Sequence, residues 1–201
     1  MNMKPFAVAL VALLPCLAVS LGEVDKAKTI GNPGAPVRME LFSDFQCPAC
    51  KAFHDSLLQT IIHDYVVPGK ACIVMHEFPL QMHPYSREAA YYAQAAAHIG
   101  KYQQVADALF KNQQTWSTNG KVWDAVASVL TPAEQKKVQE MSKEQSIQNA
   151  VQADVTLGNS YRINQTPTLI VNGKGRSYPF PGPSEANYML LKSLIDDHFL
   201  K

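Results

Sequence analysis

Between residues 85 and 158 every segment of this chain reads as helix, and short β-branched runs lie on both sides of that block. No other feature limits the fold as much. Strands interrupted by so many helical residues must meet across them. The order is strand–helix–strand, a block of helices, then strand–hairpin–strand–helix. It predicts an α/β layer architecture with a helical insertion between two halves.

The local signals place these elements. Residues 26–30 read as a short edge strand, and Asn32-Pro33-Gly34-Ala35-Pro36 as a turn cluster. Val37, Met39 and Leu41 alternate on one face of a strand over 37–42. Residues 48–66 read as one helix, with Pro48 in its first turn and Phe53, Leu57 and Ile61 on one stripe; Pro68-Gly69 ends it. A second strand covers 71–77. Within the block, 85–99 is Ala-rich and stops at Gly100, and further helices cover 102–114 and 122–130. Thr131-Pro132-Ala133-Glu134 has the spacing of a capping box, and Ser142 with Gln145 repeats it before Ile147, Val151 and Val155. Gly158 reads as a helix stop. Beyond it, 168–171 is a strand, Asn172-Gly173 a hairpin turn and 175–180 the return strand. Ser184 caps a last helix carrying Tyr188, Leu191, Ile195 and Phe199.

The chain starts with one charge, Lys4, and an apolar run from Phe6 to Val19. That run is shorter than the roughly 20 residues that span a bilayer as a helix. Residues 1–22 therefore read as a secretory signal peptide, cleaved after Ser20 or after Gly22, with an uncleaved anchor as the alternative. Cys16 lies in this segment; Pro15 before it argues against a lipidated cysteine. The remaining domain is 23–201. The whole chain has 18 basic and 17 acidic residues, net +1, and losing Lys4 brings it to zero. Such a balance supplies no basic surface for nucleic acid. Export places Cys47, Cys50 and Cys72 in an oxidising compartment.

Cys47-Pro48-Ala49-Cys50 falls between a strand end and a helix start. The free N–H groups and positive dipole end of a helix stabilise a thiolate more than a thiol. The thiol pKa at such places falls from about 8.5 into the range of about 3.5–7.5. Cys47, the outer residue, is the expected nucleophile, and Cys50, one turn deeper, the resolving thiol; Pro48 stiffens the pair. The alternative use of a C-x-x-C is metal. A structural zinc needs four ligands and the chain has no second pair, so only a Cys47/Cys50/His54 clip for a soft metal remains conceivable. No metal and no cofactor is expected. Thr166-Pro167 stands directly before a strand. A cis bond there would open the Thr166 backbone N–H and C=O to an extended substrate chain; a trans turn proline is the alternative.

Phe42-Ser43-Asp44-Phe45-Gln46-Cys47-Pro48-Ala49-Cys50-Lys51, followed far downstream by Thr166-Pro167-Thr168 and a hairpin, resembles the DsbA family of secreted bacterial thiol:disulfide oxidoreductases. The resemblance implies a thioredoxin fold, with a central mixed sheet of four or five strands flanked by helices. It also implies a cis Pro167 facing Cys47 and Cys50, and substrate held along Thr166 and Pro167. The implied partners are exported, folding proteins with cysteines and a membrane quinone-linked re-oxidant; the implied compartment is the periplasm. No added dimerisation domain fits before the fold, so a monomer is expected. An isomerase or reductase on the same fold is the nearest alternative function.

Two departures from the family stand out. Its strongest oxidants carry histidine between the cysteines; Ala49 implies a less oxidising poise. The buried acid that thioredoxin-like proteins often carry six positions before the first cysteine is Leu41 here. Glu40 points to the other face by strand alternation. Asp44, Glu77 and His76 are the substitutes, each expected first as a surface or capping residue. Cys72 is expected as a buried apolar group, with a reactive thiol as the alternative. The connector Pro79-Leu80-Gln81-Met82-His83-Pro84 reads as a strand-to-helix link or a docking loop.

Overall fold

The computed structural model describes residues 26–201. The signal reading of 1–22, with Lys4, Cys16 and both cleavage positions, lies outside the described residues.

Five strands form one sheet: β1 (Thr29–Ile30), β2 (Val37–Ser43), β3 (Ala71–Glu77), β4 (Thr168–Gly173) and β5 (Arg176–Pro181). Their order is β1-β3-β2-β4-β5. Only β2 and β3 are parallel; the other pairs are antiparallel. A parallel pair needs a crossover, and α1 (Pro48–Asp55), α2 (Leu57–Ile61) and a wide turn over Ile62–Val66 supply it. The insertion follows as α3 (Ser86–Ala97), α4 (Tyr102–Lys111), α5 (Gln113–Asn119), α6 (Val122–Ala127), α7 (Pro132–Met141) and α8 (Gln145–Ser160). After it the chain returns to the centre, where Thr168 pairs with Phe42. A single turn over Glu185–Asn187 leads into α9 (Tyr188–Ile195). This is the mixed sheet, flanked by helices and split by a helical insertion, that the sequence implies.

Strand alternation divides the core. Val37, Met39 and Leu41 of β2, Ile73 and Met75 of β3, and Leu169 and Val171 of β4 share the main apolar cluster with Phe53, Leu57, Leu191 and Phe199. Phe42 and Ile170 face the other way and meet Phe78, Val155 and Tyr161 in a smaller cluster.

Several local readings differ from the sequence expectation. The strand expected over 26–30 shrinks to Thr29–Ile30, and the helix expected over 102–114 ends at Lys111, with a separate one starting at Gln113. The helix over 48–66 is broken at Ser56 (φ −128°, ψ −80°), whose hydroxyl donates to the Ala52 carbonyl at 2.8 Å and competes for that helical acceptor. Ser142 does not cap α8; its hydroxyl donates back to Gln139, and Glu144 is the N-cap residue, without a side-chain cap bond. Gly158 lies inside α8 rather than ending it. A Cβ there would come within 2.5 Å of Phe78 and 3.2 Å of Phe42, so the glycine admits the aromatic cluster. The hairpin turn is Lys174-Gly175, both at positive φ (48° and 69°), as a type I′ loop requires. Gly173 instead pairs with Arg176 and yields space to Phe199. By contrast, the box of Thr131 and Glu134 forms in both directions.

Candidate active site

β2 runs out at Ser43, and a four-residue loop delivers Cys47 as the N-cap of α1, with extended backbone (φ −74°, ψ 122°) and Pro48 in the first turn. Cys47 is 7% exposed and Cys50 fully buried. The structure holds them as free thiols. The Asp44 backbone N–H donates to Cys50 Sγ at 3.4 Å, and Cys47 Sγ lies 3.5 Å from the carbonyl oxygen of Thr166. The Thr166–Pro167 bond is cis. The two motifs singled out in the sequence therefore meet.

Their surroundings separate the two thiols. Cys47 is lowered from an ordinary 9.0 to about 5: the Cys50 thiol donates to it, and the Thr166 side chain and the Cys50 and Ala49 backbone N–H groups add to this against the cost of burial. Cys50 is raised well above its ordinary value, first by burial and then by Cys47 itself. This arrangement yields one thiolate with one thiol donating to it. Beside it a cavity of about 670 Å³ opens, walled by Ala49, Phe53, Leu57, Thr166, Pro167 and Pro183.

This asymmetry has a measurable consequence. Only the reduced protein carries a Cys47 thiolate. Unfolding returns that thiol from about 5 to an ordinary 9.0. Between these values the unfolded chain binds more protons than the folded one. The reduced form therefore gains up to about 1.4 kcal/mol of stability per pH unit, a contribution lost as pH falls through the folded value. Cys50 and Cys72, both raised, stay protonated in either state below 9.0. Glu77, raised to about 7 from 4.5, acts in the opposite sense, equally in both redox forms. The stability of the reduced protein minus that of the oxidised protein, from urea melts, is expected to climb from about pH 5 to pH 8. A flat difference would contradict a thiolate at Cys47.

A family model described as Thioredoxin matches residues 23–196. The chain belongs to the thioredoxin family. Relatives add to this. "Probable disulfide bond formation protein D" of Bacillus anthracis is 22% identical over 151 residues, covering 73% of this chain and 70% of that protein. The "Na(+)/H(+) antiporter NhaA 1" of Mycolicibacterium gilvum is 28% identical over 157 residues, or 77% of this chain, which spans only 24% of that protein's length. Among solved structures, oxidised BdbD from Bacillus subtilis overlays with a TM-score of 0.69 at 24% identity, covering 86% of this chain and 92% of that one; it is a likeness of fold. The resemblance to DsbA proteins read from Phe42 to Lys51 and from Thr166-Pro167-Thr168 is thus borne out.

Within this thioredoxin-family site, several expectations shift. Asp44 is 1% exposed and Glu77 2%, so neither is a surface residue. The Asp44 carboxylate accepts from the backbone N–H of Gln46 (2.7 Å) and of Leu80 (2.8 Å) and from the Ser86 hydroxyl, and it lies 2.7 Å from His83 Nδ1. Gln46 in turn accepts from the Tyr85 N–H at 2.8 Å. The connector over 79–84 is thus tied to the dithiol loop, while Met82 remains 77% exposed. Glu77 is the register partner of Ser43 on the dithiol's side of the sheet; it accepts from the Tyr102 hydroxyl at 2.6 Å, and burial pushes it to about 7. His76 lies on the opposite face, stacked on Phe42 at 4.7 Å and 2.7 Å from Asp154. Cys72 is fully buried, and burial raises its thiol. His54 does not join the cysteines: its ring nitrogens lie 3.2 Å from Asp55 and 3.0 Å from Asp107.

Two contributors escaped the sequence reading. The segment over 182–186 forms one wall of the cavity. Gln113, from the insertion, reaches the backbone of the dithiol loop. A buried glutamine at the start of a helix carries no motif, and only the tertiary fold reveals its target.

Proposed function

We propose that this chain is an exported thiol:disulfide oxidoreductase that gives its Cys47–Cys50 disulfide to cysteines of folding proteins in the periplasm. A substrate thiolate attacks Cys47 Sγ. The Cys47–Cys50 bond breaks, and Cys50 leaves as a thiolate and takes up a proton. The substrate backbone lies along Thr166 and Pro167, with side chains over the adjoining cavity. A second substrate thiolate then attacks the substrate sulfur of the mixed disulfide, and Cys47 leaves as a thiolate. The substrate is oxidised by two electrons and the enzyme is reduced. A membrane quinone-linked oxidant takes those two electrons from the reduced pair and restores the disulfide. The protein acts as a monomer.

One observation carries this reading: a thiol lowered to about 5 stands 3.5 Å from the Thr166 carbonyl, beside an open cavity. A thiol of low pKa is a good leaving group, and its thiolate stabilises the reduced enzyme, which makes the disulfide oxidising. The relatives named disulfide bond formation protein D support the same direction. Export rests on residues 1–22 of the sequence.

Equilibrating the protein in glutathione buffers and following oxidation of a dithiol peptide tests the proposal. The expected potential lies well above the roughly −270 mV of thioredoxin, and below that of the most oxidising members because Ala49 cannot support the thiolate as histidine does. A potential at or below thioredoxin's would assign the reductase role instead.

A further inference from the structure

Gln113 opens α5, and it is 5% exposed. Its Nε2 donates to the carbonyl oxygens of Phe45 at 2.7 Å and of Cys47 at 3.0 Å. Two carbonyl acceptors require the NH₂ end of the amide to face the loop. The Cys47 carbonyl also accepts the Lys51 N–H at 3.1 Å, the bond that closes the first turn of α1. Proline at position 48 gives the Cys47–Pro48 peptide no N–H, so its carbonyl is the only group by which this peptide can be hydrogen-bonded. Gln113 and Lys51 together hold that plane from two directions. The plane sets the course of the next residues, whose Ala49 and Cys50 N–H groups face the Cys47 sulfur.

The contact belongs to a row. Asp107, Phe110 and Gln113 follow at three-residue intervals along α4 and into α5. Asp107 lies 3.0 Å from His54 Nε2; the Phe110 ring packs on His54 at 4.6 Å and on Phe45 at 5.0 Å. This row joins the insertion to both the dithiol loop and α1.

We propose that Gln113 is a positioning residue for the Cys47 thiolate, through its two hydrogen bonds to the Phe45 and Cys47 carbonyls, which makes the helical insertion a working part of the redox site. The inference rests on Cys47 being the exchanging sulfur.

Gln113→Met keeps the side chain's length and burial and removes both donors. In the reduced variant the Cys47 pKa, read from thiolate absorbance, is expected to rise by about one, a tenfold change in the thiol–thiolate equilibrium. The equilibrium with glutathione is expected to shift toward the protein disulfide in the same sense. Gln113→Glu, of equal size but with acceptor oxygens in place of donors, is expected to move both readouts the same way. A role confined to packing would lower the melting temperature and leave both readouts at the wild-type values, and that outcome overturns the proposal. A third readout needs no variant. In the wild-type reduced protein the Gln113 side-chain amide resonances are expected to shift with the titration of Cys47; resonances flat across that titration also overturn it. The reading of Cys47 is checked separately, because an ordinary thiol pKa and no exchange in the wild type would sink that reading before any variant is made.

Discussion

Cys47→Ser is expected to reduce disulfide transfer to the uncatalysed background, a loss on the order of 10³-fold or more, as removal of a covalent nucleophile gives. Cys50→Ser is expected to behave differently. Its Cys47 remains able to enter a mixed disulfide with a substrate cysteine but has no neighbour to expel it. The complex should accumulate as a covalent species that thiol reductant dissolves. The difference follows from the site. Cys47 is lowered to about 5 and keeps some exposure, whereas Cys50 is fully buried and raised. An ordinary thiol is only a few per cent thiolate at pH 7, while a thiol titrating two units below that pH is nearly all thiolate. Part of this lowering comes from the Cys50 thiol itself, so a serine hydroxyl at position 50, a poorer donor to sulfur in a different geometry, should also lift the Cys47 pKa. Cys72 cannot substitute in either variant, because it is fully buried on the far face of the sheet. Non-reducing gels of each variant incubated with an oxidised peptide measure the trapped complex. Substantial turnover by Cys47→Ser, or a complex formed equally by both variants, would reverse the two assignments.

The arrangement of this site is legible in the sequence because it is local. A proline between two cysteines at a strand-to-helix junction states its geometry within four residues, and Thr166-Pro167 announces itself at the start of a strand. Alternation along β2 likewise puts Glu40 and Leu41 on opposite faces. What stayed hidden depends on contacts between distant segments. Gly158 has the sequence look of a helix stop, yet it is a gap for Phe78 and Phe42, which come from other elements. Asn172-Gly173 is the stronger turn signal than Lys174-Gly175 by composition. The register with β2, where Arg38 pairs with Asn172, draws that pair into the strand and moves the turn two residues on. Asp44 and Glu77 read as surface acids because exposed charges are usual. The loop over 79–86 covers the first, and Tyr102 with Lys28 the second.

The strongest stability effect is expected at Lys28. This residue precedes the two-residue strand β1 and is 5% exposed. Its backbone carbonyl accepts the Met75 N–H at 2.9 Å, and its ammonium reaches Asp154 at 2.7 Å, Gln94 at 3.0 Å and Glu77 at 4.0 Å. One side chain thus joins the first strand to α3, α8 and the end of β3. Lys28→Met preserves most of the apolar stem and removes the charge, leaving the buried Glu77 and the half-buried Asp154 without it. Breaking a buried pair in this way typically costs about 3–5 kcal/mol, more than the pair itself contributes. The loss should depend on pH. Asp154 is held at about 2, Lys28 being the main charge that outweighs its burial, while Glu77 is already pushed up to about 7 with Lys28 in place. Without the lysine, Glu77 escapes its penalty by taking a proton. The Glu77 share of the deficit is therefore expected to grow as pH rises through about 7 and to vanish below it, where both folded proteins hold the proton, while the Asp154 share persists until pH falls toward about 2. Adding Glu77→Gln to Lys28→Met is expected to recover part of the loss at neutral pH and little at acid pH. Urea midpoints of the three proteins at the two pH values test this directly. A loss below about 1 kcal/mol at neutral pH, the range of exposed pairs, would mean that water or a rearranged side chain already compensates these carboxylates.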